Sequence, residues 1–89
     1  MADSAMDTSP FIRRVILDLL NRRSVSSSIC PSEAARAAFP DNWRPYMISI
    51  RKVAREMQAE GLIEVTQKGS PVVLDESIRG PIRLRKPGG

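Results

Sequence analysis

A chain of 89 residues is one small domain, and with 42% apolar residues but only two Phe, one Trp and one Tyr its core must rest on Ile, Leu, Val, Met and Ala. The single cysteine, Cys30, makes an internal disulfide or an all-cysteine metal site impossible, and the absence of histidine removes the commonest general base and metal ligand. The net charge of +4 is uneven: residues 1–76 hold ten basic and ten acidic side chains, so the whole excess falls on Arg79, Arg83, Arg85 and Lys86.

No apolar run approaches the roughly 18 residues of a membrane span, and the start, MADSAMDTS, lacks a basic and greasy leader. A cytoplasmic location is therefore expected. Residues 1–8 read as a disordered tail, 9–86 as one domain and 87–89 as a disordered end. Thr8 or Ser9 is placed to cap a first helix that has Pro10 in its opening turn. Phe11, Ile12, Val15, Ile16, Leu19 and Leu20 give that helix a broad apolar face, and Arg14 with Asp18 has the spacing of an ion pair. The helix is expected to end near Arg22 or Arg23. Serines and β-branched residues in SVSSSI (24–29) predict a turn and a short extended segment.

Pro31 opens a second, short helix with Glu33 set to reach back toward the entering amide; its alanines permit close packing and Phe39 supplies bulk. Pro40, Asp41 and Asn42 break it. A third, long helix starts at Asn42 or nearer Pro45, with Met47, Ile50, Ala54 and Met57 on an apolar stripe and Arg44, Ile48, Arg51 and Arg55 on the stripe beside it. Gly61 is the expected left-handed stop. Leu62 to Thr66 then alternates as a strand, with Ile63 and Val65 on one face. Residues 68–71 turn the chain into a second strand around Val72 to Leu74. After the acidic loop 75–77, Pro81 to Arg85 alternates again, with Ile82 and Leu84 opposed to Arg83 and Arg85.

This element order predicts an α+β, mainly helical fold of the winged-helix kind: three helices, a short strand, a β-hairpin wing and a C-terminal basic strand. The competing architecture is a three-helix bundle with a loose hairpin. The segments CPSEAARA (Cys30 to Ala37), NWRPYMISIRKVAREMQAEGLIEVTQKG (Asn42 to Gly69) and GPIRLR (Gly80 to Arg85) resemble those of a family of small bacterial proteins known only as a domain of unknown function. The resemblance covers roughly residues 10 to 86 and implies a winged-helix-like fold. It assigns no activity and no functional residues.

Function must therefore be read from the residues. A reading helix in a winged helix commonly enters the DNA major groove, which makes Arg44, Arg51 and Arg55 candidates for base or phosphate contact. Lys68 at the hairpin tip and Arg83, Arg85 and Lys86 on the last strand are candidates for backbone phosphates. Each has a plainer reading: Lys52 has the spacing to pair with Glu56, and cations on an exposed edge strand block edge-to-edge pairing. An exposed Ile48 among the arginines would instead favour a protein partner or a second copy. Cys30 precedes a helix, where a thiolate is stabilised, but lacks a base and suits a small buried side chain better. Trp43 is either a stacking surface or a core anchor, and Tyr46 is open between the two. No glycine-rich phosphate loop, CxxC pair or nucleophile elbow occurs, so neither enzyme activity nor a cofactor, metal, membrane or small-molecule ligand is expected. The sequence thus predicts a double-stranded-DNA-binding module, with a protein-interaction module as the alternative.

Overall fold

The computed structural model describes residues 8–23 and 27–88. Residues 1–7 of the predicted tail, 24–26 of the predicted turn and Gly89 of the predicted end lie outside the described residues. Helix α1 spans Ser9–Asn21 and buries Ile12, Ile16 and Leu20, spaced four apart on one face. Thr8 occupies the cap position with helical φ of −93° and ψ of 0°, and its side chain makes no capping bond. A hydroxyl cap needs extended backbone at that residue, so Thr8, one of the two expected caps, has no geometry in which to form the bond. The expected Arg14–Asp18 pair is replaced by Arg22 donating to Asp18 at 3.0 Å.

After strand β1, Ser28–Ile29, helix α2 spans Pro31–Ala38. Its buried Ala34 and Ala35 let it lie close against α1 and helix α3, which spans Met47–Ala59. Glu33 does not reach back to its own helix terminus. It pairs with Arg23, tying the end of α1 to the start of α2. The irregular start of α3 is a single 3-10 turn, Arg44–Tyr46. The buried stripe of α3 is Ile50, Val53, Ala54 and Met57, with Met47 half-buried. At its end Gly61 takes a φ of 80°, the Leu62 amide donates to the Met57 carbonyl at 2.9 Å and the Gly61 amide to that of Gln58 at 2.9 Å. These two bonds satisfy carbonyls the helix would otherwise leave open, and the left-handed turn they need suits glycine.

Strands β2 (Glu64–Gln67), β3 (Ser70–Pro71) and β4 (Arg83–Arg85) join β1 in an antiparallel sheet of order β1-β4-β2-β3. Leu84 sits opposite both Ile29 and Val65. The last strand is therefore central, not the free basic edge that the sequence suggested. Leu84 on this strand and Ile82 just before it close the core with Ile50, Met57, Ile63 and Val65.

The predicted hairpin is also shorter. Lys68 and Gly69, with φ of 52° and 84°, form a two-residue turn of the type that matches strand twist. The returning strand is only Ser70 and Pro71, and proline is tolerated there because this is the sheet's edge. Val72 keeps one bond, its amide donating to the Val65 carbonyl at 2.9 Å. Beyond it the chain leaves the sheet for α3, where the Gln58 side chain donates to the Val72 carbonyl at 2.6 Å and accepts from the Leu74 amide at 2.8 Å. The result is an α+β, mainly helical fold compatible with a winged helix, in which residues 68–82 form one long excursion between the paired strands β2 and β4.

Candidate nucleic-acid interface

The outward face of α3 and the excursion it supports lie side by side. Ile48, 82% exposed, Arg51, Lys52 and Arg55 line one wall of a shallow groove; Leu74, Asp75 and Glu76 line the other. Arg55 approaches Glu76 at 3.9 Å. Arg51 turns to the excursion backbone: its Nη2 donates to the Ile78 carbonyl at 3.2 Å and its Nη1 makes a longer contact with that of Gly80 at 3.5 Å. Both acceptors are neutral, and Arg51 is in no ion pair among the described residues, though Asp75 and Glu76 line the same groove. The expected Lys52–Glu56 pair is not among the ion pairs of the described residues.

From the opposite side Gln67 grips the same stretch, its Nε2 donating to the Arg79 carbonyl at 2.6 Å and the Pro81 carbonyl at 3.3 Å. The carbonyls of residues 78–81 are thus held alternately, two by a residue of α3 and two by a residue of β2. This leaves a second groove lined by Gln67, Lys68, Arg79, Gly80, Pro81, Ile82 and Arg83, with three cations and no carboxylate. Arg83 is anchored by neutral atoms too: its Nε donates to Ser28 Oγ at 2.9 Å and its Nη2 to the Ser28 carbonyl at 2.9 Å. Among the described residues the exposed Arg79 side chain has no hydrogen-bond or ion-pair partner.

The sequence candidates therefore separate. Lys68 and Arg83 meet in the wing groove, and Arg51 supports its rim. Arg85 points the other way in function: its Nε donates to Glu64 Oε1 at 2.9 Å. Glu64 also accepts from the Gly88 amide at 3.2 Å, which places the 87–88 turn against the sheet. The Gly88 bond and then Arg85 hold the Glu64 carboxyl below the usual carboxylate range. Lys86 does not line the groove. Arg44 lies over Trp43, its guanidinium carbon 4.6 Å from the ring centroid, with Arg36 at 5.2 Å. Trp43 is half-buried and packs against the core, while Phe39 stacks on Tyr46 at 3.7 Å and meets Phe11 edge-on at 5.9 Å. Those contacts make the aromatic turn a joint between helices. Arg79 and Gln67 were missed as site residues; an arginine directly before Gly-Pro was the available signal, since a glycine beside a proline marks a fixed turn.

On α1 one arginine is paired with a carboxylate of the α3 terminus. Arg13 makes two bonds to Glu60, at 2.7 and 2.8 Å, which hold the Glu60 carboxyl below its ordinary range and raise the Arg13 guanidinium. Cys30 Sγ lies 3.1 Å from Ser32 Oγ. Burial pushes that thiol up, but the Ser32 hydroxyl and the Glu33 amide outweigh it, and the net shift is downward. Among the described residues no three His, Cys, Asp or Glu side chains come together as a metal site, and no helix is long and apolar enough to cross a membrane.

Fold and site together define a small α+β domain that presents a helix and a cationic loop on one side. The chain belongs to the family described as protein of unknown function DUF3253, whose model matches residues 9–87. This agrees with the family resemblance carried by residues 30–37, 42–69 and 80–85. No curated protein matches the chain.

Proposed function

We propose that this protein is a non-catalytic double-stranded-DNA-binding module in which the outward face of α3 and the 68–83 segment contact the duplex together. The observation that carries this reading is the state of the charges: Arg51 and Arg83 hydrogen-bond only to neutral atoms, Arg79 is unpartnered among the described residues, and Lys68 shares with Arg79 and Arg83 a groove without carboxylates. Such cations keep their full charge for phosphate, and their neutralisation releases condensed counterions. Titration of labelled protein with mixed-sequence duplex DNA at low salt is expected to shift the signals of Arg51, Arg79 and Arg83. Absence of shifts at all three discards the reading.

One observation favours a protein partner instead. Ile48 and Val73 are 82% and 76% exposed, and the grooves in which they lie share Arg55 and Leu74. Large apolar side chains within a charged face are a usual anchor for protein contacts. Under the DNA reading Ile48→Ala leaves duplex affinity nearly unchanged; under the partner reading it weakens a complex that Arg79→Ala leaves intact.

A further inference from the structure

The excursion between β2 and β4 is held far more firmly than a loop that only connects strands requires. Gln58 fixes residues 72 and 74, Arg51 residues 78 and 80, and Gln67 residues 79 and 81. Gly80, at the middle of the last grip, has a φ of 86°, a conformation that side-chain-bearing residues rarely adopt. These contacts all involve the backbone of the excursion. The side chain of Arg79 is left exposed at the rim of a groove whose other cations are Lys68 and Arg83.

Three cations lining one groove repel each other, and nothing within the groove offsets them. The nearest acids along the excursion are engaged elsewhere: Asp75 accepts from the Ser77 hydroxyl at 2.5 Å and the Ser77 amide at 2.8 Å, and Glu76 faces Arg55 at 3.9 Å. Arg83 uses Nε and Nη2 on Ser28, which leaves Nη1 for another acceptor. A bound anion offering several oxygens relieves the repulsion and accepts from both guanidiniums, and a phosphoryl group has that chemistry.

We infer that Lys68, Arg79 and Arg83 form one phosphate-binding cleft, and that Gln67 and Arg51 are positioning residues that hold its rim through the carbonyls of residues 78–81. The source of the phosphate is the nucleic-acid backbone, so the inference rests on the function proposed above. It assigns Arg51 to the loop rather than to sequence readout. It also makes Gln67, a neutral residue, matter for binding.

The test uses the full chain, duplex DNA of mixed sequence and, separately, inorganic phosphate. Affinity is measured across a salt series for the wild type, Arg79→Ala and Gln67→Ala, with arginine Nε–H signals followed by NMR. Arg79→Ala is expected to lower the salt slope by about 0.9, the value of one phosphate contact. Gln67→Ala removes no charge and is expected to weaken binding about 3- to 10-fold, the worth of a lost hydrogen bond, at unchanged slope. Duplex binding with Arg79→Ala indistinguishable from wild type overturns the cleft and leaves the DNA reading standing. Shifts of Arg79 and Arg83 with inorganic phosphate but none with duplex keep a phosphate cleft and remove the nucleic-acid source. No shift with either overturns both. Should Gln67→Ala fail to fold, Arg79→Ala decides alone, because that side chain bonds nothing among the described residues.

Discussion

Two sides of this small domain treat arginine in opposite ways. On one side, Arg13 of α1 closes on Glu60, Arg22 on Asp18, Arg23 on Glu33 and Arg85, at the end of β4, on Glu64. Around the excursion, Arg51 of α3 and Arg83 at the start of β4 end on carbonyls and a hydroxyl, and Arg79 ends on nothing among the described residues, while Arg55 lies 3.9 Å from Glu76. Number and spacing of cations do not distinguish these sides. The acceptor does: a carboxylate cancels the charge and spends it on the fold, whereas a carbonyl fixes the guanidinium in place and leaves the charge available to a partner.

The largest expected effect breaks this contrast with salt alone. If the open side neutralises about three phosphates, raising salt from about 50 to 200 mM weakens duplex binding about 40-fold. Binding that is insensitive to salt contradicts the assignment. The next effect concerns how the open side is held. Gln58→Ala removes both bonds that dock residues 72 and 74 on α3 and leaves a backbone donor and acceptor without them; a loss of about 1–3 kcal/mol in denaturant unfolding is expected. A neutral result would mean that water replaces Gln58 fully.

Comparison of Arg83 with Arg85 also shows where sequence reading stops. Their alternation with Ile82 and Leu84 was plain, because a strand's two-residue period depends on neighbours only. The strand's place in the sheet was not, since β4 pairs with β1 some 55 residues earlier, a separation shown by the Arg83–Ser28 bond, and local pattern carries no such register. The edge-strand reading failed for that reason, and with it the division of the two arginines between a hydroxyl and a carboxylate. The helices were legible through Pro10, Pro31 and Gly61. The ion pair on α1 was legible in principle: Asp18 has an arginine four residues on either side, and an acid preceding its base is the better order along a helix. The grip of Gln67 and Arg51 on residues 78–81 was beyond reach, because side-chain bonds to a distant backbone leave no periodic trace.

A smaller effect sharpens the contrast from the closed side. Arg13→Ala opens the bidentate pair with Glu60 on a partly exposed surface, where ion pairs contribute little. Its thermal midpoint is expected to fall less than that of Gln58→Ala, and its duplex affinity to match wild type. A marked loss of affinity would place the binding surface on α1 instead.

The smallest effect is the pH dependence, and its sign follows from which groups titrate. Glu60, held by Arg13, Glu64, held by the Gly88 amide and then Arg85, and Asp75, held by the Ser77 hydroxyl and amide, all have carboxyls below their ordinary range. A depressed carboxyl stabilises the fold fully above its unfolded value of about 4, and that contribution disappears as pH falls through the lower folded value. Arg13, raised by Glu60, contributes below its own ordinary range, which covers every practical condition. Cys30, lowered, adds a slight gain only as pH rises past its folded value toward that of a free thiol. The chain has no histidine, the side chain that ordinarily titrates between about pH 5 and 8. Thermal midpoint and duplex affinity are therefore both expected to be flat across that interval, with the midpoint falling below about pH 4. An affinity that changes between pH 5 and 8 while the midpoint does not would show that the group recognised is itself titrating, as a phosphate monoester does and a phosphodiester does not.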